Sequence, residues 1–149
     1  NHLDCDAITV SPYMGEESIE PFISNPSKGA YVLCRTSNKS STFIQEEIYS
    51  KVISLCEALN NQQNIGLVVG ATNDDALMQV RNSTDLPFLI PGIGAQGGDL
   101  QSVLKINENS MDTTLINVSR GIIFSGNKDH DSIRNSAKQY LNQLRGLNG

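Results

Sequence analysis

The sequence has 149 residues, of which 38% are hydrophobic and 18% charged; this composition is that of a globular domain and excludes a disordered chain. Its net charge of −5 argues against nucleic acid as the main partner, because phosphate backbones are bound by basic surfaces. No run approaches the roughly 20 apolar residues of a membrane span, so no membrane partner is predicted.

The cysteines and histidines predict neither a disulfide framework nor a metal site. Cys5, Cys34 and Cys56 are odd in number and lack the spacing of metal ligands. We interpret them as small apolar residues of a protein in the reducing cytoplasm. His2 and His130 lie far from any cysteine in the sequence, so no bound metal is expected.

Apolar runs and helical patterns alternate along the chain. Strands are predicted over residues 7–10, 30–34, 65–69, 88–90 and 114–118. Helices are predicted over about 16–23, 43–59 and 131–144, with two shorter ones that begin near residues 72–75 and 99–100. The strands are continuously apolar, which is typical of a parallel sheet covered on both faces.

Two of these helices carry more detailed expectations. Thr42 and Gln45 fit a capping box at the start of the long helix. Apolar positions at helical spacing predict a buried face on the first helix (Ile19, Phe22, Ile23) and on the last (Ile133, Ala137, Tyr140, Leu141, Leu144).

The segment PGIGAQGGD at residues 91–99 joins the fourth strand to a helix and carries four glycines in seven residues. Bare backbone N–H groups at a helix N-terminus can bind an anion, usually phosphate. Gly92, Gly94 and Gly97 also form G-x-G-x-x-G, the pattern of dinucleotide-binding proteins. Two phosphate-binding hypotheses therefore compete for this loop.

Five βα repeats fit either an open doubly wound sheet or part of a (β/α)₈ TIM barrel. The dinucleotide fingerprint normally occupies the first βα turn, with an acidic residue after the next strand, whereas here it lies in the fourth unit and Asp112 precedes the fifth strand. Barrels commonly bind phosphate through the loops after strands 7 and 8. We therefore expect residues 1–149 to supply βα units four to eight of a single TIM-barrel domain, with the N-terminal units absent from this chain.

Several segments carry a resemblance to a known family. YVLCRTSN (31–38), VVGAT (68–72), PGIGAQGGD (91–99) and INVSRGII (116–123) resemble the C-terminal half of orotidine 5′-monophosphate decarboxylases. AITVSPYMG (7–15) is similar to the branch that is also found in mycobacteria and malaria parasites. The resemblance implies decarboxylation of orotidine 5′-monophosphate to uridine 5′-monophosphate in pyrimidine biosynthesis, by a cytoplasmic homodimer without metal or organic cofactor.

The resemblance also implies roles for particular residues. Ser37 would contact the pyrimidine, and Gln96 would reach the substrate phosphate from a loop that closes over it. Arg120 would pair with the phosphate through its planar, bidentate guanidinium, and a backbone N–H at Ser119 or Arg120 would add a donor. Ser11 stands where this branch usually has Asn, so a contact from that side chain is not carried over.

The catalytic residues of the family are absent from this sequence. They lie in a D-x-K-x-x-D motif at the third strand, which occurs nowhere in the 149 residues, so we expect them upstream of Asn1. This chain alone is then expected to be inactive and to need the missing N-terminal half as a partner. Two alternatives stay open: another phosphate-binding barrel enzyme, such as a sugar-phosphate decarboxylase or aldolase, and a non-catalytic module that binds a phosphorylated ligand.

Overall fold

The computed structural model describes residues 4–146 and contains one five-stranded parallel sheet. The strands are β1 (Ala7–Val10), β2 (Gly29–Arg35), β3 (Ile65–Val69), β4 (Phe88–Pro91) and β5 (Thr114–Asn117). The helices are α1 (Glu20–Ile23), α2 (Thr42–Leu59), α3 (Asp74–Arg81), α4 (Leu100–Ile106), α5 (Arg120–Ile123) and α6 (His130–Arg145), with 3₁₀ segments at Glu16–Ser18 and Glu108–Thr113. All five predicted strands are present, and their bounds differ from the prediction by at most one residue at either end.

The strands lie in the order β1-β2-β3-β4-β5, and every neighbouring pair is parallel. A doubly wound sheet starts in its middle and later reverses direction, giving orders such as 3-2-1-4-5. Here every crossover adds the next strand on the same side, as successive units do in a barrel. The sheet order therefore favours the barrel over the dinucleotide-binding fold that G-x-G-x-x-G had suggested.

Burial follows the position of each strand in the sheet. Every residue of the central strand β3 is buried, and Phe88 and Ile90 of β4 are fully buried beside it. The outer strands are covered much less: Ile8 of β1 is 47% exposed and Leu115 of β5 is 54% exposed. The core is thus centred on β2, β3 and β4, and both sheet edges present apolar side chains.

Two cysteines belong to this core. Cys34 on β2 and Cys56 on α2 are buried, and desolvation raises the pKa of each thiol to about 12. Both therefore stay protonated and pack as small apolar groups, as predicted. Among the helices of residues 4–146, none combines the length and hydrophobicity that crossing a membrane requires.

Three local expectations are wrong. Helix α2 begins after Ser41 without a side-chain cap, and Gln45 contacts a loop instead of forming a capping box with Thr42. The first predicted helix is interrupted at Ile19; Ile19 and Ile23 are buried as predicted, but Phe22 is 43% exposed. Helix α6 has no fully buried residue; Tyr140 and Leu144 of its predicted inner face are partly buried against the core, whereas Leu141 is 41% exposed.

Helix α6 instead contacts the turn after β5 and the glycine loop after β4. The hydroxyl of Ser136 donates a hydrogen bond of 2.8 Å to the carbonyl of Gly121. A Cβ atom built on Gly121 would lie 2.7 Å from the Tyr140 hydroxyl oxygen, and one built on Gly94 would lie 2.6 Å from the same oxygen. Both distances are below van der Waals contact, so a Cβ atom at either position would require the Tyr140 hydroxyl to move away.

This contact predicts a specific rescue between two substitutions. Gly121→Ala should lower the free energy of unfolding by about 1–3 kcal/mol through overpacking against the Tyr140 hydroxyl. Tyr140→Phe removes that oxygen and should restore most of the loss, because the next atoms, Val118 Cγ1 at 3.3 Å and Tyr140 Cζ at 3.4 Å, need only small shifts and Gly121 has ordinary helical φ within α5. Urea unfolding of the full-length protein measures both effects.

Gly94→Ala is the matched control. Gly94 has φ of +72°, so alanine is strained there whatever space Tyr140 leaves, and Tyr140→Phe should restore little. Failure of Tyr140→Phe to recover any stability in the Gly121→Ala background would contradict the packing described for α6.

Candidate functional site

The predicted site residues all follow the carboxyl ends of strands. Ser37 follows β2, Gln96 follows β4, and Ser119 and Arg120 follow β5. Because the strands are parallel, these ends meet at one rim of the sheet, where α/β folds build their sites. Thr72, which follows β3, lies at the same rim.

Ser37 and Gln96 are in direct contact. The Ser37 hydroxyl donates a hydrogen bond of 2.7 Å to the side-chain oxygen Oε1 of Gln96, across 59 residues of sequence. Since Oε1 is occupied, the Nε2 amide group of Gln96 is left to donate elsewhere, and it has no protein acceptor within the described residues. The structure thus brings together two residues that lie in separate loops of the sequence. It also leaves the Nε2 amide group of Gln96 available as a donor.

Glycines make room for Ser37 at this position. A Cβ atom on Gly70, at the end of β3, would lie 2.7 Å from the Ser37 backbone nitrogen. A Cβ atom on Gly92 would lie 3.0 Å from Gln96 Oε1 and 3.2 Å from Ser37 Cβ. Thr72 adds a hydrogen bond of 3.1 Å from its hydroxyl to the Ser37 carbonyl. Gly70 and Thr72 belong to the VVGAT segment after β3, but the sequence did not indicate their contacts with Ser37.

Three N–H groups of the glycine loop are used within the loop itself. The N–H groups of Gly94, Gly97 and Gly98 donate to the carbonyls of Gly98, Gly94 and Gly92, within the loop itself. Positive φ angles at Gly92, Gly94 and Gly97 allow this tight path. The loop therefore presents the Gln96 side chain, and these three amides are not free to bind an anion.

The N-terminus of α4 is also occupied. Asp99 is its N-cap residue, and its carboxylate accepts a hydrogen bond of 2.9 Å from the backbone N–H of Ser102. Hydrogen bonds from Ser102, first from its backbone and then from its side chain, lower the pKa of Asp99, so this carboxylate is charged at neutral pH. Asp99 thus has a structural role as the cap of α4.

Arg120 is the first residue of α5, and its side chain is exposed. Its guanidinium makes no hydrogen bond or ion pair with any residue in the range 4–146. The Ser119 hydroxyl donates to Asn117 at 3.2 Å, and the N–H groups of Ser119 and Arg120 make none of the loop or cap hydrogen bonds in that range. This turn therefore offers a cation and two backbone donors.

Tyr140 brings the Arg120 turn and the Gln96 loop together. Its hydroxyl oxygen lies against Gly121, the residue after Arg120, and against Gly94, two residues before Gln96. The structure thus places the two predicted phosphate-binding loops side by side on α6. The sequence indicated only that Tyr140 lies on the inner face of a helix, which gave no signal for this contact.

A polar cavity of about 310 Å³ opens beside the Ser37–Gln96 pair. Lys39, Thr72 and Asn73 are among the side chains that line it. Arg35 also lines the cavity, but it is buried and its guanidinium forms an ion pair of 2.6 Å with Glu46. Arg35 therefore has a structural role, and Lys39 is the cation on this side that is open to a ligand.

Metal-ligating side chains do not converge at the site. Within residues 4–146, no three His, Cys, Asp or Glu side chains lie close enough together to hold a metal ion. The chemistry that the residues at the rim offer is therefore hydrogen bonding and anion pairing from Ser37, Gln96, Ser119 and Arg120.

Comparison with known proteins connects this arrangement to a family. The model of the orotidine 5′-phosphate decarboxylase / HUMPS family matches residues 1–133. The orotidine 5′-phosphate decarboxylase of Natronomonas pharaonis is 45% identical over 132 residues, which are 83% of this chain and 48% of that protein. The chain spans about half the length of the curated relatives it matches.

Solved structures give the same result. UMP synthase of Leishmania donovani superposes with a TM-score of 0.89 at 40% identity, over 99% of this chain and 34% of that one. OMP decarboxylase of the same organism superposes with a TM-score of 0.86 at 38% identity, over 99% of this chain and 59% of that one. The sequential parallel sheet is thus part of a (β/α)₈ barrel, and the predicted fold class is confirmed. By sequence and by fold, this chain belongs to the orotidine 5′-phosphate decarboxylase / HUMPS family.

Proposed function

We propose that the intact protein decarboxylates orotidine 5′-monophosphate to uridine 5′-monophosphate, and that this chain supplies the phosphate- and pyrimidine-binding half of the site. Family membership supports the reaction. The hydrogen bond of 2.7 Å between Ser37 and Gln96 supports the placement of the substrate. It joins a residue assigned to the base with a residue assigned to the phosphate, so a nucleotide is the ligand whose two ends this pair can reach.

The polarity of that hydrogen bond fits a pyrimidine nucleotide. Ser37 donates its one hydroxyl proton to Gln96, which leaves its oxygen lone pairs to accept from an N–H such as the imide of the pyrimidine. Gln96 accepts through Oε1, so its Nε2 group is directed to donate to a phosphate oxygen. One hydrogen-bonded pair can in this way recognise both ends of the substrate.

Arg120 supplies the charge in this proposal. A guanidinium without a protein partner can bind two phosphate oxygens at once, and the N–H groups of Ser119 and Arg120 can add hydrogen bonds. Binding energy from the non-reacting phosphate then stabilises the closed, water-poor site in which the pyrimidine reacts. The lysine and aspartate residues that act on the carboxylate belong, on this proposal, to the D-x-K-x-x-D motif outside this sequence.

The exposed sheet edges support the proposal that residues 1–149 form the C-terminal part of one barrel domain. Ile8 on β1 and Leu115 on β5 are apolar and about half exposed, and five strands cannot close a barrel. Additional βα units that pair with β1 and β5 would cover both side chains and bring the catalytic motif to the same rim.

An apolar groove supports the proposal that the intact, cytoplasmic enzyme is a homodimer. The groove has a volume of about 540 Å³ and lies between the loop after β1 and helix α2, where Tyr13 and Ile44 line it. Tyr13 is 80% exposed, and Phe43, the residue before Ile44 in α2, is 86% exposed. Exposed aromatic side chains are characteristic of protein interfaces.

The reaction is tested by incubating the full-length protein with orotidine 5′-monophosphate and following loss of the substrate and release of carbon dioxide. Turnover without added metal or organic cofactor is expected. Absence of turnover by a folded, full-length protein would refute the proposed function and leave the non-catalytic binding module as the better hypothesis.

Arg120→Ala tests the phosphate assignment. We expect kcat/KM to fall by roughly 100-fold or more, because each lost charge-assisted hydrogen bond contributes about 1.5–3 kcal/mol. Calorimetry should show weaker binding of uridine 5′-monophosphate and unchanged binding of uridine, which lacks the phosphate. Arg134→Ala, which removes an exposed arginine on α6, is the matched control and should leave kcat/KM and the affinity for uridine 5′-monophosphate unchanged. Unchanged kcat/KM in Arg120→Ala would contradict the assignment.

A further inference from the structure

The side chain of Gln45 makes two hydrogen bonds to the loop that carries Ser37. Gln45 lies in the first turn of α2, and its Oε1 accepts a hydrogen bond of 2.8 Å from the backbone N–H of Thr36. Its Nε2 donates a second hydrogen bond, also of 2.8 Å, to the Thr36 hydroxyl oxygen. One side-chain amide thus fixes both the backbone and the side chain of the residue directly before Ser37.

The other contacts of this loop come from residues that follow β3, on the side opposite Gln45. Thr72 binds the Ser37 carbonyl, and the N–H of Gly70 donates to the Arg35 carbonyl at 2.7 Å, so β3 holds the loop from one side. Gln45 holds it from the other side, through α2. The backbone at Ser37 is therefore bracketed between two elements that flank it in the barrel.

The N-terminus of α2 does not need the hydrogen bonds between the Gln45 side chain and Thr36. The helix begins after Ser41, and the backbone N–H of Gln45 already donates to the Ser41 carbonyl at 2.9 Å. The side-chain amide points away from its own helix, towards the end of β2. Its two hydrogen bonds serve the position of the loop.

We propose that Gln45 is a positioning residue for the nucleotide site and that it acts through Ser37; this inference rests on the proposed function. Ser37 makes a hydrogen bond of 2.7 Å to Gln96, and a displacement of about 1 Å would lengthen it beyond hydrogen-bonding range. Without the two hydrogen bonds from Gln45 to Thr36, the Ser37 hydroxyl would sample several positions. Both the pyrimidine contact and the orientation of the Gln96 amide would then weaken.

Gln45→Met in the full-length protein is the first test. Methionine has nearly the length and helix propensity of glutamine but makes neither hydrogen bond to Thr36. We expect affinity for uridine 5′-monophosphate to fall roughly 5- to 20-fold, because each neutral hydrogen bond contributes about 0.5–1.5 kcal/mol. Glu47→Met, at an exposed position of the same helix, is the matched control and should change affinity less than twofold. Gln45→Glu keeps the acceptor for the Thr36 N–H and should retain most of the affinity, which provides a second variant should methionine impair folding.

A double-mutant cycle with Ser37→Ala separates positioning from a general structural effect. In the Ser37→Ala background, Gln45→Met should change nucleotide affinity less than twofold, while its effect on the urea midpoint should be the same in both backgrounds. Equal losses of affinity in both backgrounds would overturn the inference, as would full affinity in Gln45→Met alone. If Ser37→Ala itself leaves affinity unchanged, the site assignment in the proposed function fails, and the inference fails with it.

Discussion

The hydrogen bond between Ser37 and Gln96 connects the two halves of the candidate site. It spans 59 residues of sequence and joins the loop after β2 to the loop after β4 across the end of β3. Gly70 leaves the space that the Ser37 backbone occupies, and a Cβ atom on Gly92 would lie within 3.2 Å of Ser37. The order of the strands, the two glycines and the path of the glycine loop all converge on this one contact.

The hydrogen bonds within the glycine-rich segment change the role that its sequence suggested. The N–H groups of Gly94, Gly97 and Gly98 bind carbonyls of the same loop and are not free for a phosphate, and the adjacent helix terminus is capped by Asp99. The segment forms a turn that carries the Gln96 side chain at the rim. Tyr140 ties this turn to the turn of Arg120, so the two proposed phosphate contacts are held by a single helix.

The sequence predicted best those features that depend on neighbouring residues. The strands were predictable because buried parallel strands are continuously apolar, and Asp99 could be placed at a helix start because its partner, Ser102, is three residues away. The role of Gln45 was not predictable, because its better partner, Thr36, lies in a loop nine residues earlier and competes with the local capping box. The exposure of α6 could not be predicted either, since an amphipathic pattern does not reveal that the helix packs at a sheet edge.

The site residues were predictable only as separate positions. Motifs identified Ser37, Gln96, Ser119 and Arg120, but the direct bond between the first two and the shared contact with Tyr140 depend on tertiary packing. The sequence placed Gly70 and Gly121 at the rim but gave no signal for their contacts, because these involve Ser37 and Tyr140, which are distant in the sequence.

The most direct test of this account is a crystal structure of the full-length protein with uridine 5′-monophosphate bound. We expect Gln96 Nε2 and the Arg120 guanidinium both to lie within about 3.2 Å of phosphate oxygens. We also expect the Ser37 hydroxyl to contact the pyrimidine while keeping its hydrogen bond to Gln96. A nucleotide whose phosphate is bound elsewhere, with Gln96 and Arg120 both out of reach, would contradict this account.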